Sequence, residues 1–231
     1  MPSITVVFPM YNEEAYIRRA VASAREVLEA SLPDWEIVIV DDGSLDATAA
    51  IAEALAAEDP RVRLVRHGAN RRLGGSLRSG YGAATKDLVF YTDADLPVDL
   101  HQLPRAVRLL EYQQADVVAG YRFDRTSEGF VRAVYTFCYN HLVRVLFGLR
   151  VRDVNFAFKL FRRSVLQRFT LTSEGSFIDA EFLLRARKAG CSIVQIGLDY
   201  FPRTRGTSTL ASVPVILDIL REMAARWREL R

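Results

Sequence analysis

The segment LVFYTDADL, residues 88–96, begins with an apolar run and ends with two aspartates on either side of one alanine. A run of this length and composition is typical of a strand buried on both faces of a sheet. Open parallel sheets bind ligands just outside the carboxyl ends of their strands, which is where Asp93 and Asp95 lie. Two carboxylates there suit a divalent cation whose other ligands are waters and substrate phosphates. Asp-x-Asp also occurs in ordinary turns, so the pair alone leaves both interpretations open.

Short apolar runs alternate with helical patterns on both sides of this segment. Predicted strands cover residues 4–9, 36–41, 62–66, 88–92 and 116–121, and predicted helices lie between them at 13–30, 46–58, 73–84 and 100–113. After an arginine-rich and aromatic stretch at 122–149, we expect a β-like run at 155–161, a helix at 179–189, a strand at 193–199 and an amphipathic helix at 212–230. This alternation predicts an α/β fold with a parallel central sheet and helices on both faces.

The composition is that of one ordinary globular domain: of 231 residues, 50% are hydrophobic and 26% are charged. No run reaches the roughly 18 apolar residues that a membrane-spanning helix needs, and the start does not resemble a signal peptide. We therefore expect a cytoplasmic protein or one that faces the cytoplasm. Cys138 and Cys191 lie in apolar segments without metal-ligand spacing, so we expect both in the core.

The net charge of +3 is divided unevenly along the chain. Residues 1–115 carry 12 basic and 17 acidic side chains, a net charge of −5, whereas residues 116–231 carry 19 and 11, a net charge of +8. An acidic half can hold a divalent cation, and an arginine-rich half can hold phosphates or lie against an anionic membrane surface. No nucleic-acid-binding motif accompanies the arginines, so we expect no nucleic-acid partner.

Polar residues also follow three other predicted strands, in PMYNEE (9–14), DDGSLD (41–46) and GYR (120–122). Asp42 is placed to hydrogen-bond a base or a ribose, while Asp46 is expected to cap the next helix. The segment LGGS at 73–76 either presents backbone amides to an anion or allows close helix packing. Asp179 and Glu181 begin a predicted helix, where acidic side chains favour the helix dipole whatever their function.

The C-terminal pattern also has two interpretations. Apolar residues recur there at helical spacing, namely Ile216, Ile219, Leu220, Met223, Trp227 and Leu230. Three arginines, Arg221, Arg226 and Arg228, are available for the other side of the helix. Such a helix either lies in a membrane interface or packs on its own domain or on a second copy of the chain.

Six segments together resemble a known family. They are FPMYNEE (8–14), VDDGSLD (40–46), LGGSLRSG (73–80), TDADL (92–96), FKLFRR (158–163) and DAEFLLRAR (179–187). In this order they resemble the inverting family-two glycosyltransferases of GT-A fold, most closely the polyprenyl-phosphate sugar synthases of the dolichol-phosphate mannose synthase type. The resemblance implies a mostly parallel sheet and a single catalytic domain over 1–231. Residues 1–121 would bind the nucleotide sugar, 122–210 the acceptor, and 211–231 would form the amphipathic helix.

The resemblance also implies roles for individual residues. Those that would hold the nucleotide sugar are Pro9, Tyr11, Glu13, Val40, Asp42, Asp93, Ala94 and Arg203. Mg²⁺ or Mn²⁺ would be held by Asp93 and Asp95. The acceptor phosphate would be contacted by Arg122, Arg132, Arg203 and Arg205, and the catalytic set would be Asp93, Asp95, Asp179 and Arg122. Two positions depart from the family pattern: Pro97 cannot supply the third metal ligand that Gln or Ser gives in relatives, and Thr209 replaces a frequent lysine.

The implied reaction is metal-dependent transfer of a hexose, with inversion, from a nucleotide sugar of the GDP-mannose or UDP-glucose type to a polyprenyl or dolichyl phosphate. The alternative is a family-two enzyme that acts on a soluble or saccharide hydroxyl, for which Asp179 would be the general base. A nucleotidyltransferase and a binding protein without turnover are further alternatives. We expect a nucleotide sugar and a polyprenyl phosphate as partners, with peripheral contact to a membrane surface or a membrane partner, and leave a homodimer open.

Overall fold

The computed structural model describes residues 2–124, 130–202 and 213–231, with the side chains of 130–133 and 213–214 left out. The strands are β1 (Ile4–Met10), β2 (Trp35–Asp41), β3 (Val62–Arg66), β4 (Leu88–Thr92), β5 (Val117–Arg122), β6 (Phe158–Arg162) and β7 (Ile193–Leu198). The helices are α1 (Ile17–Ser31), α2 (Thr48–Glu58), α3 (Arg72–Ala83), α4 (Leu103–Tyr112), α5 (Phe130–Phe147), α6 (Ile178–Lys188) and α7 (Val213–Leu230).

The seven strands form one sheet in the order β3-β2-β1-β4-β6-β5-β7. The pairs of β1 with β2 and β4, of β2 with β3, and of β5 with β7 are parallel. Strand β6 runs antiparallel to both of its neighbours, β4 and β5. The expectation of a mostly parallel sheet is therefore confirmed, with β6 as the antiparallel strand. This strand begins at Phe158 rather than at residue 155.

Apolar side chains cover both faces of the sheet. Alternate residues of β1 point to opposite sides, so Phe8 packs with helices α1, α2 and α4, while Val7 packs with α3, α5, α6 and α7. Strands buried on both faces read as continuous apolar runs, which is why the sequence located every strand end except the start of β6 within one residue.

Helix α5 is the one α-helix or β-strand in the described part that the sequence analysis left unassigned, within the stretch 122–149. Its buried face consists of Tyr139, Val143 and Phe147, at a spacing of four residues. Cys138 lies beside this face and is exposed, so the expectation that it is a core residue is wrong, whereas Cys191 is buried as expected.

Two glycines allow helix α3 to lie close to its neighbours. A Cβ atom on Gly80 would lie 2.4 Å from Val7 Cγ1, and one on Gly74 would lie 2.2 Å from the carbonyl oxygen of Ser173. The amide of Gly74 donates to the carbonyl of Glu174 at 2.8 Å. Of the two interpretations of LGGS, the structure supports close packing, because the segment lies inside a helix and the Gly74 amide already has a protein acceptor.

Helix α7 packs on its own domain. Ile219, Met223 and Leu230 are buried against the α3, α5 and α6 side of the core. Glu222 also accepts hydrogen bonds from the amides of Glu174 and Gly175, at 3.2 and 3.1 Å. Within the described ranges, no helix has the length and apolar composition needed to cross a membrane.

A buried carboxylate ties together the first strands of the sheet. Glu36 on β2 accepts from the Thr5 hydroxyl at 2.7 Å, from the Thr85 amide at 2.7 Å and from Arg63 Nη1 at 3.2 Å. Burial alone would raise the pKa of Glu36, but these hydrogen bonds outweigh it and hold the pKa below its usual value. The ionised side chain is therefore the form that stabilises the fold.

We expect Glu36→Gln to lower the free energy of unfolding by about 1–3 kcal/mol at pH 7, because an amide has fewer acceptor sites for these donors. The pKa of Glu36 is depressed on folding, so the wild-type advantage is present above the unfolded pKa and is lost as pH falls through the folded pKa. Urea unfolding at neutral and acidic pH measures the difference, with the exposed Glu53→Gln as the control. If the difference in free energy of unfolding between the wild type and Glu36→Gln were as large at acidic pH as at neutral pH, ionised Glu36 would not be the form that stabilises the fold.

Candidate functional site

The antiparallel direction of β6 brings three segments to one edge of the sheet. The register pairs Thr92, at the carboxyl end of β4, with Phe158, at the start of β6. Residues that precede β6 therefore lie at the same edge as residues that follow the parallel strands β4 and β5. Acidic residues from both kinds of segment, Asp93 and Asp153, belong to this edge.

Asp93 and Asp95 occupy a tight turn directly after β4. The Leu96 amide donates to the carbonyl of Asp93 at 3.2 Å, and Leu96 itself has a left-handed φ of 52°. Such a backbone costs a non-glycine residue about 1–3 kcal/mol, and strain of this kind is concentrated at functional sites. The hydroxyl of Tyr91 donates to Asp93 Oδ1 at 3.2 Å.

The electrostatics of this turn fit a divalent cation. Desolvation, then the charge of Asp95 and then that of Asp179 raise the pKa of Asp93 to about 7. A bound cation would relieve this repulsion. Within the described ranges, no three His, Cys, Asp or Glu side chains are grouped to hold a metal. The predicted donor set, Asp93 and Asp95, would suit Mg²⁺ or Mn²⁺ completed by water and phosphate oxygens.

A buried ion pair lies beside the Asp93–Asp95 turn. Lys159 on β6 and Asp179 on α6 are 1% and 3% exposed, and Nζ lies 2.5 Å from Oδ1. The same ammonium donates to the carbonyl of Phe156 at 2.8 Å. Burial raises the pKa of Asp179, the charge of Lys159 opposes this, and Asp153 adds to it.

Arg122, at the end of β5, is held on three sides. Its guanidinium carbon lies 4.8 Å from the centre of the Phe156 ring and 4.7 Å from that of Tyr200. Its Nη1 lies 3.6 Å from Asp153 Oδ2, and the two side chains are 8% and 1% exposed. Stacking between two rings fixes the plane of a guanidinium, which prepares it for a directional contact with an anion.

On the other side of the edge, the loops after β1 and β2 are joined to each other. The Asn12 amide donates to Ser44 Oγ at 3.0 Å, the Leu45 amide donates to Asn12 Oδ1 at 2.8 Å, and the Glu13 amide donates to Thr48 Oγ1 at 2.8 Å. Asp46 accepts from the Thr48 amide at 2.9 Å, so it caps α2 as expected.

Asp42 makes more contacts within the protein than the sequence indicated. Its Oδ1 lies 2.6 Å from His67 Nδ1 and accepts from the Arg71 amide at 2.8 Å, and the side chain is 4% exposed. His67 Nε2 in turn lies 2.9 Å from Ser79 Oγ. The imidazole thus connects the β2 loop with α3, and Asp42 is held in one orientation at this edge.

The remaining predicted site residues differ in their exposure to solvent, and some lie outside the described residues. Tyr11 is 42% exposed. Pro9, Glu13 and Asp95 are partly accessible, and Ala94 is buried. The Val40 side chain is fully buried in the core, facing Gly80, so the structure gives it no free surface for a nucleotide. The side chain of Arg132, on α5, and the whole of Arg203 and Arg205 lie outside the described residues.

Two residues of the site, Asp153 and Lys159, were not singled out from the sequence. The sequence analysis gave most attention to residues that follow strands, which is the correct rule for a parallel sheet but overlooks Asp153, which precedes an antiparallel strand. Lys159 was visible as a single cation inside the apolar run 156–161. Glu181 has a structural role instead, since it accepts from the Thr172 and Ser173 amides and pairs with Arg185 at 2.7 Å.

A separate cavity of about 570 Å³ lies at the opposite edge of the sheet, lined by residues that include Asp87, Glu111 and Arg162. Arg162 there pairs with Glu111 at 3.0 Å. Its charges balance one another, and it lies away from the carboxylates and arginines described above.

Comparison with known proteins agrees with this geometry. The model of a family described as "Glycosyl transferase family 2" matches residues 5–170. The chain is 32% identical, over 98% of its length, to Glycosyltransferase AglD of Haloferax volcanii, of which it spans 37%. It is 26% identical to Undecaprenyl-phosphate mannosyltransferase of Micrococcus luteus, over 99% of this chain and 97% of that protein.

Among solved structures, the fold is similar to glucosyl-3-phosphoglycerate synthase of Mycobacterium tuberculosis in complex with Mn²⁺, UDP-glucose and phosphoglyceric acid. The TM-score is 0.74 at 22% identity, over 98% of this chain and 80% of that one. The predicted GT-A architecture, with a mostly parallel sheet between helices and a C-terminal helix, is confirmed.

We expect Asp93→Asn to stabilise the metal-free protein at pH 8. The pKa of Asp93 is raised on folding to about 7, so the stability that its neutral form contributes is lost as pH rises through that value. The amide avoids the loss, and the Tm should rise by roughly 3 °C at pH 8 but not near pH 4. Adding Mn²⁺ should raise the Tm of the wild type only.

Thermal unfolding with and without Mn²⁺ makes this measurement, and Asp34→Asn, on the exposed surface far from the turn, serves as the control. A metal-free Asp93→Asn protein less stable than the wild type at pH 8 would show that the carboxylate pair is not under repulsion.

Proposed function

The chain belongs to glycosyl transferase family 2, and from this we propose that it transfers a hexose from a nucleotide sugar to a polyprenyl phosphate, using Mg²⁺ or Mn²⁺. The observation that carries the proposal is the Asp93–Asp95 turn beside the buried Lys159–Asp179 pair, with Arg122 at the same sheet edge. The name of the Micrococcus luteus relative supports a polyprenyl phosphate as the acceptor.

The donor would lie between the β1 and β2 loops and the metal-binding turn. Asp42, fixed by His67 and Arg71, would contact the base or ribose, and the exposed Tyr11 would cover it. Asp93 and Asp95 would hold the cation, which stabilises the departing nucleoside diphosphate. Arg203, predicted to contact the same phosphates, lies outside the described residues.

The acceptor would approach from the basic half of the chain. Arg122 is oriented by Phe156, Tyr200 and Asp153, and a fixed guanidinium can bind a phosphate through two parallel hydrogen bonds. An ionised lipid phosphate needs no base to attack the anomeric carbon. This agrees with the state of Asp179, whose Oδ1 is in contact with the Lys159 ammonium.

We further propose peripheral contact with the cytoplasmic face of a membrane. The outer side of α7 exposes Leu217, Leu220 and Trp227. Arg221 and Arg228 are exposed on the same helix. Helices that lie in a membrane interface typically combine exposed leucine and tryptophan side chains with basic side chains on the adjoining polar face. The proposal extends to one catalytic domain with the three regions 1–121, 122–210 and 211–231.

The alternative acceptor is a soluble or saccharide hydroxyl. It is supported by the similarity in fold to a synthase solved with phosphoglyceric acid. On this alternative Asp179 would have to leave Lys159 and take a proton from the hydroxyl. With a phosphate acceptor the reaction would therefore depend on the arginines, and with a hydroxyl acceptor it would depend on Asp179.

Incubation with labelled nucleotide sugars and short polyprenyl phosphates tests the proposal. We expect the label to enter the organic phase only when Mg²⁺ or Mn²⁺ is present, and Asp95→Ala to lose most of the transfer because one metal ligand is missing. Label that stays in water as a new saccharide would favour the alternative acceptor. Formation of a new nucleotide sugar would instead indicate a nucleotidyltransferase.

The choice of acceptor can also be read from two variants. With a polyprenyl phosphate, we expect Arg122→Lys to lower kcat/KM at least about tenfold, because an ammonium cannot reproduce the stacked, bidentate contact. Asp179→Asn should be milder than this. A hydroxyl acceptor reverses the order, since loss of a general base costs roughly 10²–10⁴-fold. A severe Asp179→Asn defect beside a harmless Arg132→Ala would contradict the polyprenyl-phosphate assignment.

A further inference from the structure

Lys159 is a buried lysine to which the proposed function assigns no contact with the metal or with the acceptor. The chain has only three lysines and uses arginine for its other strong cations. This lysine alone of the three is buried, at 1% exposure, in the centre of the sheet. Burying an ammonium is unfavourable unless it is paired and hydrogen-bonded, so its surroundings must compensate the loss of water.

The register of the sheet determines what Lys159 contacts. On one side Lys159 pairs with Tyr91 of β4, and on the other it pairs with Ala119 of β5. Paired residues of neighbouring strands point to the same face, so the lysine side chain runs between an aromatic ring and a methyl group. Its Nζ lies 5.5 Å from the centre of the Tyr91 ring.

A continuous series of contacts joins this ammonium to the metal-binding turn. Lys159 is held by the Phe156 carbonyl and by Asp179. It lies over the ring of Tyr91, and the hydroxyl of Tyr91 donates to Asp93 Oδ1. Tyr91 lies on β4 and Asp93 lies in the turn directly after it, so a displacement of the ring moves the donor that orients the carboxylate.

We infer that Lys159 is a positioning residue for the metal site: paired with Asp179, it fixes the ring of Tyr91, and the Tyr91 hydroxyl orients Asp93 for the cation. Groups that hydrogen-bond a metal-ligating carboxylate typically change metal affinity by 10–100-fold when removed. The inference rests on the proposed role of Asp93 as a metal ligand. It adds two residues, Lys159 and Tyr91, that do not touch the metal themselves.

Mn²⁺ binding to the full chain, followed by the electron paramagnetic resonance signal of free Mn²⁺, tests the inference without relying on activity. Lys159→Met combined with Asp179→Asn removes the ion pair and leaves the net charge unchanged, so a general electrostatic effect on the metal is small. We expect this paired variant to raise the Kd for Mn²⁺ about tenfold, and Tyr91→Phe to do the same.

The combination of all three substitutions shows whether Lys159 acts through Tyr91. If it does, the triple variant binds Mn²⁺ about as weakly as Tyr91→Phe alone, whereas independent effects multiply to about a hundredfold. Tyr81→Phe is the matched control, because Tyr81 is buried in the same cluster against Phe161 and Phe182. Its Kd should stay within about twofold of the wild type.

Two results would overturn the inference while leaving the proposed function intact: a Kd of the paired variant within about twofold of the wild type, or effects in the triple variant that multiply. If the paired variant does not fold, Tyr91→Phe decides, and an unchanged Kd contradicts the inference. Absence of saturable Mn²⁺ binding in the wild type would overturn the proposed metal site and the inference with it.

Discussion

Acidic side chains gathered at one sheet edge repel each other, and this repulsion is the constraint on which the rest of the site depends. Burial raises the pKa of both Asp93 and Asp179; the charges of Asp95 and Asp179 add to the rise at Asp93, and that of Asp153 adds to the rise at Asp179. Such an arrangement is tolerated only where cations are built in or bound. Lys159 supplies one cation from inside the sheet. The carboxylates of Asp93 and Asp95 remain as negative charge at the turn, which a divalent cation would neutralise.

The direction of β6 is what makes this arrangement possible. An antiparallel strand between β4 and β5 places its first residues at the carboxyl edge of the parallel strands. Asp153 thereby reaches Arg122, and Lys159 reaches both Asp179 and the ring of Tyr91. The proposed donor side, which is acidic, and the proposed acceptor side, which is basic, would therefore meet at one strand. The sequence shows the same division, because residues 1–115 carry a net charge of −5 and residues 116–231 a net charge of +8.

The parallel strands and the Asp93–Asp95 turn could be predicted because each depends on local sequence: continuous apolar runs and the carboxylates that follow them. Strand direction is not local, so the sequence analysis gave the β-like run at 155–161 no direction, and Asp153, which precedes it, was overlooked. Helix α5 was missed because aromatic and β-branched residues conceal its apolar spacing of four residues. The environment of Asp42 could not be predicted either, since His67 and Ser79 come from later segments that only tertiary packing brings together.

The most direct test of the account is to locate the metal. Crystals grown with Mn²⁺ and a nucleoside diphosphate would reveal the ion by its anomalous scattering. The account predicts one strong peak within coordination distance of carboxylate oxygens of Asp93 and Asp95, roughly 2.0–2.6 Å as for hard cations with oxygen ligands. A diphosphate should complete its coordination. A peak elsewhere, or a diphosphate bound at this edge with no metal between it and the two aspartates, would contradict it.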